Sequence, residues 1–131
     1  MWEAYGLKNE DFLWAGVVLR GGIAGQQEGT CGALASGAVG LGLRHRRSLT
    51  NKDKAEKARG AVCQEAAELV KSFMERFGAV SCIGLTGVDF SDEKAMKQAI
   101  ESGLFEEKCY KQTQFVIEKL YELEEKRRSI P

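Results

Sequence analysis

The chain has 131 residues, 44% of them hydrophobic and 29% charged, which suits one wet-surfaced core and leaves no composition signal for a second domain. Lys and Arg total 19 and Asp and Glu total 19, so no overall field draws the chain to nucleic acid or to an anionic membrane, and neither is expected as a partner. The longest apolar stretches, residues 13–19 and 33–43, are too short to cross a bilayer, and the second is rich in glycine.

The opening residues MWEAYGLKNEDF carry three acids and no basic-then-apolar run, so they do not read as a secretory signal, and a reducing, cytoplasmic location is expected. The one proline is Pro131, and runs of alternating β-branched residues are missing. Helices must therefore carry the fold: a single all-α domain over residues 1–131, with about five helices in a compact, roughly antiparallel bundle.

The first expected helix spans residues 10–20 and stops at Gly21-Gly22. A turn-forming stretch follows, and a second helix starts near Thr30 or Cys31 and runs to Arg44 or His45. Its basic tail, Arg44 to Arg47, suits the negative end of a helix dipole. The clearest helix is residues 52–77, with Thr50 and Asn51 as candidate caps and Gly78 as a left-handed stop. Its apolar face is Ala55, Ala58, Val62, Ala66, Leu69, Phe73 and Phe77, expected to bury against the last helix; Cys63 lies on the flank and reads as core. Residues 79–90 read as a loop with a short helical turn. Ser91 then caps a helix over residues 92–102, and the last helix, residues 106–127, carries Cys109, Thr113, Val116, Leu120 and Leu123 along one stripe.

Eight of the fifteen glycines fall between Gly21 and Gly42, although each costs a helix about 1 kcal/mol relative to alanine. Two compensations are open. Gly32, Ser36 and Gly40 share a face, as do Ala33, Gly37 and Gly40, so small residues could let two backbones approach. Alternatively the turn before and around Cys31, with Gly22, Gly25, Gly29 and Gly32, forms a loop whose amides face a ligand or cofactor. A phosphate loop is disfavoured because no Gly-Lys-Ser or Gly-Lys-Thr follows, and a dinucleotide fingerprint because no strand precedes.

The segments GGIAG, EGTCGALASGAVGLGLRHR, ERFGAVSCIGLTGVDFS and GLFEEKCYK occur in that order. Across residues 5–123 this order resembles the redox-active protein family named for its C_GCAxxG_C_C cysteine pattern. The resemblance implies an all-helical domain whose cysteines are suspected of redox, metal or cofactor chemistry. Cys31 matches the glycine-adjacent cysteine and Cys82 and Cys109 match the final two, which makes these three the implied catalytic or metal-binding set; Cys63 matches none. Two departures stand out: Thr30 precedes Cys31, altering the literal Gly-Cys-Ala order, and no cysteine stands upstream of Cys31.

The thiols can also be ranked physically. Cys31 is expected at a helix N-terminus, where unsatisfied N–H groups favour thiolate, so it is the best nucleophile or ligand. Cys82 comes second, beside Ser81 in a loop or at the start of a short turn. Cys109 lies on an apolar stripe, where an inert buried thiol is the plain alternative. The cofactor is open between a metal ion and an iron–sulfur centre. No Cys-x-x-Cys occurs, which removes ribbon, ferredoxin and thioredoxin readings, and covalent haem lacks its Cys-x-x-Cys-His. His45 could complete a Cys₃His set but stands among arginines and is expected in solvent. Glu28, Glu65, Glu68, Glu106 and Glu107 read as solvated faces. The expected function is thus a thiol-based redox or metal/cofactor-binding protein, acting with an unidentified redox partner or small ligand. A noncatalytic helical assembly module is the alternative, and a homodimer is expected because a small chain gains core by pairing.

Overall fold

The computed structural model describes residues 3 and 6–129. Met1, Trp2, Ala4, Tyr5, Ile130 and Pro131 lie outside the described residues, and with them much of the segment read for a secretory signal and the single proline. Six helices are present among the described residues: α1 (Asp11–Val17), α2 (Gly32–His45), α3 (Lys52–Phe77), α4 (Cys82–Thr86), α5 (Glu93–Glu101) and α6 (Leu104–Ser129). The helix beyond the expected five is α4, a five-residue turn inside the segment read as a loop. No helix is long and apolar enough to cross a membrane among the described residues.

The boundaries follow local chemistry. Asn51 caps α3 by accepting a hydrogen bond from the Lys54 N–H at 3.1 Å, and Gly78, with φ +76°, ends the helix by donating its N–H to the Met74 carbonyl at 2.8 Å. Asp92 caps α5 by accepting from the N–H groups of Lys94 and Ala95.

α2, α3 and α6 pack on one another, and α4 and α5 lean on α6. Their shared core is Leu34 and Leu41 from α2, Leu69 and Phe73 from α3, Leu85 from α4, and Val116, Leu120 and Leu123 from α6. Each such side chain contributes on the order of 2 kcal/mol by leaving water. Phe73, Phe77 and Phe115 close one end with tilted and edge-on contacts at centroid distances of 4.7 to 6.0 Å. The face of α3 expected to meet the last helix therefore meets α2 as well.

Glycine permits the tightest of these approaches. A Cβ on Gly37 would stand 2.6 Å from Val116 Cγ1 and 3.1 Å from Leu69 Cδ2, so α2 reaches α6 and α3 only without a side chain there. At Gly37 this is the helix-packing compensation; a Cβ on Gly42 would meet nothing within 4 Å.

Two expectations are corrected. Cys63, read as core, is exposed, because the buried stripe of α3 passes through its neighbour Val62. His45, read as solvent-exposed, is buried at 6% exposure, with Nε2 2.9 Å from the Glu65 carboxylate. Arg44 turns inward beside it, bonding the same Glu65 oxygen and donating to the Leu120 carbonyl at 3.0 Å. Glu65 is thus no solvated acid: it joins α3 to the end of α2, and Arg44 carries the link on to α6.

Candidate functional site

The loop between α1 and α2 doubles back on itself. Gly21, Gly22, Ile23, Ala24, Gly25 and Gln27 all carry positive φ, a left-handed path that costs the non-glycine residues strain of order 1–3 kcal/mol each. A Cβ on Gly22 would stand 2.6 Å from the Gly29 carbonyl oxygen, so at this point the loop packs backbone on backbone.

The loop is anchored by Gln27, a residue the sequence reading did not single out. Its side chain is 5% exposed; Nε2 donates to the Val88 carbonyl at 2.6 Å and Oε1 accepts the Phe90 N–H at 2.7 Å. The Gln27 carbonyl also accepts the Ile83 N–H at 3.0 Å. One buried amide thus clamps the glycine-rich loop to the segment around α4.

Next along the chain, Thr30 and Ser81 form an isolated antiparallel bridge. The flanking hydrogen bonds run from the Cys31 N–H to the Val80 carbonyl at 2.7 Å and from the Cys82 N–H to the Gly29 carbonyl at 3.2 Å. Cys31 and Cys82 thus each stand one residue beyond the bridge, tied to the opposite segment by a backbone hydrogen bond. Cys31 is the N-cap of α2 and Cys82 the first residue of α4, which Ser81 caps by accepting the Gly84 N–H at 3.2 Å.

α6 supplies the opposing wall. Cys109 is half-buried there, and Gln112, one turn further, is 3% exposed. The Cys31 thiol donates to Gln112 Oε1 at 3.7 Å. Gln112 was also missed, since the expected stripe ran through Thr113, which is exposed.

Cys31, Cys82 and Cys109 together line one cavity of about 740 Å³, whereas Cys63 lines a separate groove beside His45 and Leu49. Leu85, Phe90, Met96, Phe105, Val116 and Ile117 make much of its wall apolar. Of the four loop glycines considered for a ligand, Gly32 lines it, while Gly22, Gly25 and Gly29 lie elsewhere in the loop.

All four cysteines are free thiols. Burial pushes the Cys82 thiol up, charge on Cys31 adds to this, and hydrogen bonds from Gln27 and Thr86 act against it. Burial also pushes Cys109 up, with charge on Cys31, Cys82 and Glu106 adding to the shift and Lys108 opposing it. Burial thus favours the neutral thiol at both Cys82 and Cys109. A resident metal is a poorer fit, since no group of three or more His, Cys, Asp or Glu side chains among the described residues is placed to hold an ion.

No curated protein and no solved structure matches the chain. A family model does match, over residues 1–123: putative redox-active protein (C_GCAxxG_C_C). The match takes in the loop, the three cavity cysteines and most of α6, and the chain belongs to the C_GCAxxG_C_C family.

Proposed function

We propose that the protein is a cytoplasmic thiol–disulfide redox protein in which Cys31 attacks, Cys82 resolves and Cys109 is a third thiol within reach. The observation that carries this reading is that Cys31 and Cys82 both flank the Thr30–Ser81 bridge and both line one cavity large enough for a substrate. Cys31 stands at the N-terminus of α2, whereas burial raises the Cys82 and Cys109 thiols, so the first attack is assigned to Cys31.

The step balances with a disulfide as the oxidant. Cys31 sulfur, giving up its proton, bonds to one substrate sulfur; the substrate S–S bond breaks and one thiol leaves with that proton. Cys82 sulfur then displaces the second substrate thiol from Cys31, and the Cys82 proton leaves with it. Two protein thiols become one protein disulfide, and one substrate disulfide becomes two thiols.

The test is mild diamide oxidation of the full chain, followed by mass mapping under non-reducing conditions. A Cys31–Cys82 linked peptide, lost in Cys31→Ser, is expected, with Cys63 remaining open to alkylation. Oxidation that couples only Cys63 between chains, leaving the cavity thiols reduced, would overturn the reading.

A second observation favours assembly of two copies. α1 has no buried residue, and Trp14, Val17 and Val18 are 73%, 54% and 53% exposed. We include a homodimer paired through this face in the proposal. Light scattering that gives a monomer at micromolar concentration would refute it.

A further inference from the structure

The cavity holding the thiols has a charge pattern that the redox reading does not use. Among the described residues, Arg20 is the single charged residue that lines it, and no Asp, Glu or Lys does. Arg20 is exposed at the rim, and its side chain has no ion pair or hydrogen bond among the described residues. The other arginine drawn into the fold, Arg44, is committed to Glu65 and the Leu120 carbonyl. Lys108, which reaches toward α4 from outside the cavity, is spent on the Leu85 and Thr86 carbonyls, both at 3.2 Å. Arg20 is thus a planar cation with unused donors beside an apolar enclosure, where Phe90 and Phe105 meet edge to face at a centroid distance of 5.8 Å.

An apolar enclosure selects a hydrocarbon body, and a lone guanidinium at its edge selects a carboxylate, which it can bind through two parallel N–H donors. We propose that the cavity binds an apolar monocarboxylic acid, its chain against the walls formed by Leu85, Phe90, Phe105 and Ile117 and its carboxylate at Arg20. As a substrate, resting on the redox reading above, the acid is one that carries a disulfide. A volume of about 740 Å³ lies in the ordinary range for small-molecule sites. Among the described residues no carboxylate lines the wall itself; the acid that reaches it is Glu106, whose charge acts on Cys109.

The probes are hexanoate, octanoate and octanol, none of which can exchange with a thiol, so their binding is read by calorimetry independently of redox chemistry. Octanoate is expected to bind more tightly than hexanoate by roughly fourfold per methylene, the effect of burying each one. Arg20→Gln should weaken octanoate by roughly fivefold, as for an ion pair at a surface rim, and leave octanol unchanged, while Arg20→Lys, which keeps the charge and loses the paired donors, restores only part of the loss. Because Arg20 is exposed, its replacement does not threaten folding.

Lipoate, an eight-carbon acid with a cyclic disulfide, then tests the substrate half. Reduced protein should become the Cys31–Cys82 disulfide as lipoate becomes its dithiol, more slowly in Arg20→Gln. Binding without chain-length dependence, or equal binding of octanoate by the native chain and Arg20→Gln, would overturn the site. Octanoate binding without oxidation by lipoate would overturn the substrate assignment alone. A chain that forms the disulfide with diamide yet binds no octanoate would retain the redox reading and lose this one.

Discussion

Gly37→Ala and Gly60→Ala make the same chemical change at the middle of two helices, and only Gly60→Ala should stabilise the protein. Both gain about 1 kcal/mol of helix propensity. At Gly60 a Cβ meets nothing within 4 Å, so Gly60→Ala should be more stable by about that amount. At Gly37 the added methyl would stand 2.6 Å from Val116 Cγ1 and 3.1 Å from Leu69 Cδ2. Val116 is β-branched and 3% exposed, Leu69 is fully buried, and neither can swing away without disturbing the contact of α2 with α6 and α3. Overpacking of this kind costs about 1–3 kcal/mol, which offsets or exceeds the propensity gain. The difference between the two variants cancels propensity and isolates the steric part, about 1–3 kcal/mol, or roughly 4–12 °C in melting temperature for a chain of this size. Urea denaturation followed by helix circular dichroism measures it. Equal stabilisation of both variants would refute the claim that Gly37 is there to let the helices meet.

Two further outcomes follow from the buried polar groups. Glu65→Gln removes the carboxylate that answers both Arg44 and His45, whose side chains are 5% and 7% exposed, and should cost about 2–4 kcal/mol. Pairing it with Arg44→Met should recover part of that loss, and a double variant no better than the single one in urea denaturation would contradict the assignment. The raised Cys82 and Cys109 thiols give a pH dependence of fixed sign: above the ordinary thiol value of about 8.5 the unfolded chain has released protons that the native chain keeps. Their contribution is fully present below that value and is lost as pH rises through the native ones, so the native chain should lose more stability between about pH 8 and about pH 10 than Cys82→Ala/Cys109→Ala does. Parallel pH profiles would count against it.

The helices were legible wherever their signals were local. Asn51 and Gly78 mark the ends of α3 in the sequence because a cap bonds to residues within one turn, and the repeat of Ala66, Leu69 and Phe73 marks its buried face. Cys31 stands at a break between helical patterns, so its place at a helix start could also be read directly, whereas α4, which begins at Cys82, lies in a segment read as a loop with a short turn.

Other assignments depended on which neighbours come to a helix flank. Cys63 follows the core-facing Val62 by about 100° of helix rotation, enough to put it in solvent, and the sequence alone leaves the edge of the stripe open. Gln112 and Thr113 lie three and four residues after Cys109, spacings that sit equally well on one face; the approach of Cys31 from α2 makes Gln112 the buried one. His45 and Arg44 resemble a solvated basic tail until Glu65 is brought up by the return of α3.

By itself, then, the sequence determined the helical class, the three long helices and the three cysteines of the family pattern, because propensity, capping and motif order act over a few residues. Only the tertiary structure decided that Gln27 clamps the glycine loop across 61 positions of sequence and that Cys31 meets Gln112 across 81. Contacts so far apart exist only after α2, α3 and α6 have packed, since hydrogen bonds between distant residues follow from the path of the backbone and leave no periodic trace in the chain.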